Sequence, residues 1–337
     1  MTNTWTDAER RHILERSFDA RGLGGISQYQ LSDGPQRGQR IIAMRSARGL
    51  EARVCVDRGF DIASLIYKGT NIGWMGPSDF PAPMNPEADN GLGLLRSFDG
   101  FLVTCGLDHW GIPGEGPAEH LIYPHRSRVY FPLHGRVSGI PATIESAGTV
   151  LDAEEPFCWC TGIVRQAIVF GEVLELRRTI KMPLLGAEVH VEDTVINRGA
   201  RPVRHGLLYH CNLGYPLLDA RTHVTGVGSE LEDRMAKAPP TPGKDVVESF
   251  DLVERSSAEP IVVANPDLGD LTLTLIYSED TLPNLGIWQA YQSGLFALGI
   301  EPHSSLNSPD DPVTTESQST LGPDETRRYT ISVSITS

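Results

Sequence analysis

The sequence predicts an all-β fold, a large antiparallel β-sandwich with a short N-terminal helix and long loops over one face. Three observations carry this reading. Short runs of alternating apolar and polar residues recur through most of the 337 residues. The chain has 34 Gly and 24 Pro, and they punctuate those runs as turn residues do. Helical periodicity is confined to one stretch near the N-terminus.

That stretch opens with Thr6-Asp7-Ala8-Glu9, a capping box in which a hydroxyl precedes a carboxylate by three residues, and the polar run to Ser17 reads as one short helix. Residues 1–30 are read as this helix and a lead-in strand. Residues 31–337 are read as a single sandwich domain, because no repeat, linker or low-complexity tract divides them. Ala52, Val54, Val56, Phe60 and Ile62 fall on alternate positions of one expected strand, and Arg58 interrupts that apolar face. Residues 75–124 are rich in Gly, Pro and acidic residues and poor in alternation. They are expected to form long loops over one face of the sheet, with room for a short helix, and loops of that length usually serve a function. The clearest strands are Ile163 to Phe170, Val173 to Met182 and Ala187 to Ile196, joined by turns at Phe170-Gly171-Glu172 and Pro183-Leu184-Leu185-Gly186. In the third, Ala187, Val189, Val191 and Val195 share one face, while Glu188, His190, Glu192 and Thr194 share the other, as in a half-solvated antiparallel strand. Leu271 to Tyr277 and Arg328 to Ser334 add alternating strands near the end.

Composition narrows the function. Asp and Glu number 43 against 29 Lys and Arg, a net charge of -14. The positive charge is scattered, which argues against nucleic acid or an anionic membrane surface as a partner. Five cysteines, an odd number, suggest reduced thiols of an intracellular protein, and no signal core or bilayer-length apolar run is present. The expected compartment is the cytoplasm, and a homodimer stays open. Cys158-Trp159-Cys160 lacks a second cysteine pair and reads as core rather than metal site, and Gly22-Leu23-Gly24-Gly25 opens no helix that could bind a dinucleotide.

The residues with chemistry sit in apolar strand-like runs. In Gly206 to Leu217, His210 and Asn212 lie two apart and so share a face, opposite Tyr209, Cys211 and Leu213. Buried polar groups need partners or a ligand. Glu301 ends a stripe with Ala297 and Gly299, a face nearly bare of side-chain bulk, and Pro302 follows it. Trp288 and Gln289 upstream offer an apolar platform and an amide for hydroxyls. Arg58 requires a carboxylate, carbonyls or a polar ligand, an ion pair with Asp61 being the structural alternative. His134 and Arg136 are expected to share a strand face across Gly135, whose lack of a side chain permits close backbone approach. His109 lies in a Gly-flanked loop beside Trp110, either as a surface residue or as a ligand-binding one.

These motifs resemble the galactose-mutarotase-like superfamily of aldose 1-epimerases. Leu133-His134-Gly135 looks like the family's Leu-His-Gly signature, Tyr209-His210-Cys211-Asn212 like its catalytic-histidine strand, and Gly299-Ile300-Glu301-Pro302 like the strand bearing its catalytic glutamate. Leu321-Gly322-Pro323-Asp324-Glu325 is similar to the turn before its last strand. Asp57-Arg58-Gly59-Phe60-Asp61 marks a distinct branch. The resemblance covers Arg53 to the C-terminus and implies the family's supersandwich, a small-molecule sugar as partner, and no cofactor. Glu301 would then be the base and His210 the acid in opening a pyranose hemiacetal. His134, Arg58, His109, Asn212, Arg136, Trp288 and Gln289 would hold the sugar. Two alternatives stay open: an isomerase or lyase acting on an oxidised keto sugar, with or without a metal, and a non-catalytic sugar-binding domain.

Overall fold

The computed structural model describes residues 6–16, 22–78, 80–118, 127–151, 153–237, 240–243, 248–253, 259–304 and 319–337. Two antiparallel sheets dominate. The larger has eight strands in the order His223–Thr225, Ile261–Asn265, Leu271–Tyr277, Thr326–Thr336, Glu188–Asn197, Val173–Pro183, Phe157–Ala167 and Thr143–Val150. The second has six: Glu248–Val253, Asn284–Gln292, Leu295–His303, Val203–Gly214 and Ser319–Leu321 in order, with Leu102–Leu107 also paired to Val203–Gly214. A five-stranded sheet formed by Gly25–Gln30, Arg40–Arg45, Leu50–Cys55, Asp61–Tyr67 and Thr70–Asn71 accompanies them, so the lead-in strand is hydrogen-bonded into the body of the fold.

The core lies where the alternating strands turn their apolar faces together. Val189, Val191 and Val195, the expected buried face of their strand, join Leu176, Ile180, Leu273, Leu275, Ile331 and Val333 in one cluster. The six-stranded sheet contributes Leu207, Tyr209, Cys211, Leu213, Ile287, Leu298 and Ile300 to the same cluster. Each such side chain contributes roughly 1.5–3 kcal/mol on burial. All five cysteines are buried as free thiols, Cys158 and Cys160 within the core as expected. One cation stands inside it. Arg178 is 0% exposed and interrupts the stripe Leu174, Leu176, Ile180, Met182. It pairs with Asp193 Oδ2 and Asp61 Oδ1, each at 2.6 Å, and the Tyr209 hydroxyl donates to Asp193 at 2.5 Å.

Three expectations are corrected. Residues 52–62 form a hairpin rather than one strand. Leu50–Cys55 pairs with Asp61–Tyr67, and the turn between them places Gly59 at φ 61 and Phe60 at φ 58. The apolar alternation runs on through the turn because Val56 and Phe60 both tuck into the core. Residues 75–118 are not all loop. Leu102–Leu107 is a strand buried at every position, so it lacks the half-exposed period that sequence reading looks for. Helix is not confined to the N-terminus, since Ser229–Lys237 forms a nine-residue helix, whereas the short helix allowed for in the loop region is the 3-10 turn Gly93–Arg96. Residues 119–124 lie outside the described residues. The first helix spans Asp7–Leu14, and no helix of the described residues is long and apolar enough to cross a membrane.

Candidate functional site

The face of the six-stranded sheet turned away from the core carries the polar groups. Along Val203–Gly214, Tyr209, Cys211 and Leu213 enter the core and His210 and Asn212 point the other way, as the alternation requires. The neighbouring strand is in register with Leu208 facing His303 and Cys211 facing Ile300, so His210 lies across from Glu301. His210 Nε2 is 3.0 Å from Glu301 Oε1, with His210 3% and Glu301 2% exposed. Burial pushes the Glu301 carboxyl up to about 8. Burial, with His134 nearby, drives the His210 imidazole well below its ordinary value. Near neutral pH the pair therefore holds one proton between its two members.

Gly299 makes room for this contact. A Cβ there would stand 2.8 Å from His210 Cε1, 2.9 Å from Glu301 Oε1 and 3.1 Å from Trp288 Cβ. Aromatic rings wall the space above. The Phe98 ring is 4.9 Å and the Trp288 ring 5.4 Å from the His210 ring, and Trp74 lies 5.6 Å from Phe98 and 6.4 Å from Trp288. Asn212 grips these walls. Its N–H donates to Phe101 O at 2.7 Å, its amide donates to Gly100 O at 3.0 Å, and its carbonyl accepts from Trp74 N at 3.0 Å. Its Oδ1 has no hydrogen-bond partner among the described residues.

His134 reaches the pair from a turn. Its ring is 5.5 Å from that of His210, nearly perpendicular to it, and is half-buried. The turn needs Gly135 at φ 77, where a Cβ would come within 2.2 Å of Gly106 O and 2.3 Å of His109 O. The close backbone approach expected at Gly135 is thus present, but on a turn rather than on a shared strand face. Arg136 leaves that turn for Asp108 at 3.0 Å and Glu87 at 2.7 Å, and its remaining nitrogen donates to Tyr130 O at 3.1 Å, so it is committed away from His210.

Two further expectations are revised. Gln289 faces the opposite side of its strand from Trp288, since neighbours on a strand cannot share a face, and its amide lies 3.4 Å from Ser249 Oγ and Asp251 Oδ2. Arg58 does not pair with Asp61, which Arg178 occupies. The Arg58 guanidinium donates to Ser97 O and lies over the Phe80 ring. It thereby supports the segment that presents Phe98, behind the wall rather than inside the site. Asp99 completes that support by accepting from Gly76 N at 2.7 Å.

A family model described as a domain of unknown function, DUF4432, matches residues 36–335. The chain belongs to the DUF4432 family. A search of curated proteins finds no match. Among solved structures, a candidate aldose 1-epimerase from Klebsiella pneumoniae is similar at 21% identity and a TM-score of 0.77, over 92% of this chain and 83% of that one. A galactose mutarotase-like protein from Clostridium acetobutylicum is similar at 13% identity and 0.61, over 94% and 99%. A galactose 1-epimerase from Lactobacillus acidophilus is similar at 12% and 0.57, over 93% and 98%. The fold of this DUF4432 member is therefore that of the galactose mutarotase-like sandwich.

Sequence reasoning missed four residues in and around the candidate site of this DUF4432 member. Trp74 and Phe98 stand in or beside irregular segments, where no period marks the buried rings. His303 and Arg204 were legible, because period two continues the Glu301 stripe to one and the His210 stripe to the other. His303 is fully buried, with Nδ1 2.9 Å from Glu301 O and its ring 4.5 Å from Trp110. His109 is fully buried too, with Nε2 3.0 Å from Ile112 O and its ring 5.2 Å from that of Phe131. Among the described residues no three His, Cys, Asp or Glu side chains converge as metal ligands would.

Proposed function

We propose that the chain is a carbohydrate-active enzyme of the aldose 1-epimerase type, interconverting sugar anomers by proton transfer through Glu301 and His210. The observation that carries this reading is their 3.0 Å contact in a buried, aromatic-walled site. The anomeric hydroxyl and the ring oxygen are bonded to the same carbon, so an acid and a base that touch each other can serve both oxygens at once. One member takes the hydroxyl proton while the other delivers a proton to the ring oxygen as the C1–O bond opens. The pair thus keeps one proton throughout, and closure from the other face runs the exchange backwards. Rings of Trp74, Phe98 and Trp288 offer apolar faces to the sugar, and Asn212 Oδ1, beside the His210 imidazole, offers an acceptor to a hydroxyl.

Exchange NMR over a sugar panel tests this. Glu301→Gln and His210→Gln should each remain folded and bind sugar while anomer exchange falls by roughly 10²-fold or more. Unaltered exchange in either variant would remove that residue from the mechanism. The same spectra separate the alternatives. Deuterium entering at C2 from solvent without anomer exchange would mean proton abstraction from carbon, as in a keto-sugar isomerase. Binding with no exchange of either kind would mean a sugar-binding domain.

A further inference from the structure

Arg204 stands on the same strand face as His210 and Asn212, and its three guanidinium nitrogens are buried without a hydrogen-bond partner among the described residues. Its guanidinium carbon lies 5.1 Å from the centre of the Phe131 ring. The nearby carboxylate of Asp108 is already committed, one oxygen accepting from Gln166 Nε2 at 2.7 Å and the other from Arg136 Nη1 at 3.0 Å. Beside Arg204, His109 packs against the same Phe131 ring, which Arg136 also approaches, and the His109 Nδ1 has no hydrogen-bond partner among the described residues. Burial pushes the His109 imidazole down to about 4. It is therefore neutral at pH 7, with Nε2–H donating to Ile112 O and Nδ1 presenting a lone pair to a donor.

A guanidinium withdrawn from water and left unpaired is costly, and proteins keep such groups where a ligand completes them. Five N–H donors in a planar fork fit a phosphate or carboxylate, and the adjacent lone pair fits a hydroxyl. We infer that Arg204 and His109 form an oxyanion subsite that takes the phosphate or carboxylate of a charged sugar, His109 accepting a neighbouring hydroxyl. This rests on the sugar-epimerase reading above and narrows its substrate class. Six residues of strand separate Arg204 from His210, roughly 20 Å between Cα atoms. The anion therefore belongs to the part of the substrate farthest from its anomeric carbon.

Affinity measurements on matched disaccharide pairs test the subsite: cellobiose against glucuronosyl-β-1,4-glucose, and lactose against lactose phosphorylated on its galactose C6. In the wild type at least one charged sugar should bind roughly tenfold or more tighter than its neutral partner. Arg204→Met, which keeps the stem on Phe131, should abolish that preference and leave neutral-sugar affinity unchanged. Which charged sugar gains decides between phosphate and carboxylate. Its melting temperature should be unchanged or higher, since an unpaired buried charge is removed. Equal binding of charged and neutral sugars by the wild type, a preference that survives in Arg204→Met, or a loss of several degrees in that variant would each overturn the subsite. Inorganic phosphate, followed by its 31P line width, keeps the two readings apart. Arg204-dependent phosphate binding without anomer exchange of any sugar would retire the epimerase and keep the anion site.

Discussion

At the scale of single residues, the protonation of the proposed pair sets a pH profile. Glu301 is held protonated up to about 8, and the His210 imidazole resists protonation well below its ordinary value, both chiefly through burial. The one-proton state, the only one that can both give and take, therefore spans neutral pH. The kcat/KM for anomer exchange should be flat there, fall above about pH 8 as the carboxyl loses its proton, and fall on the acid side only well below pH 6.5. An acid limb at 6.5 would mean that His210 titrates as a solvated histidine, outside the buried pair. His210, Asn212 and Glu301 were legible in the sequence because each lies in a run whose period-two pattern survives intact. Arg58 was misjudged for a physical reason. The rule that a cation on an apolar face must be paired is sound, but it applied to Arg178, which truly interrupts a strand, whereas Arg58 sits in a turn that only mimics one.

At the scale of elements, the site depends on one strand being bare where its neighbour is crowded. Gly299 lies between Trp288 on one side and His210 on the other. Gly299→Ala puts a methyl against the imidazole carbon and the carboxylate oxygen at distances no real Cβ tolerates, and both are fixed groups rather than floppy ends. The variant should fold and bind sugar weakly while exchange falls by roughly 10²-fold, the penalty for displacing a reacting group by about an ångström. Exchange near the wild-type level would mean that the pair can part without loss. The strands that carry the pair were predictable from alternation, and so was the face each residue takes, but not the register, since a slip of two residues keeps every face and parts His210 from Glu301. The aromatic walls were not. Trp74 and Phe98 belong to a connection whose shape is set by long-range bonds, Arg58 to Ser97 O and Asp99 to Gly76 N, that no local pattern announces.

For the molecule as a whole, the large sheet and the face that carries the candidate site meet back to back through Val203–Gly214. Tyr209 enters the buried Arg178, Asp61 and Asp193 group from the same strand that turns His210 outward. Arg178→Met would strand two buried carboxylates and should cost about 3–5 kcal/mol, read as a lower urea midpoint. A change below about 1 kcal/mol would mean that those carboxylates find other partners or water. Sequence alone gave the sandwich, since alternation and turn residues recur throughout, but it could not pair Arg178 with Asp61, 117 positions away. The pair rides on strands of the sheet, while Trp74 and Phe98 arrive from the connection that Asn212 clasps at both ends. Under the proposed epimerase reading, chemistry and selectivity are thus encoded in separable stretches of the gene. Drift in the connection can refashion which sugar is admitted without moving the proton-transfer atoms, so descendants of one such ancestor could diverge in diet while keeping a common reaction.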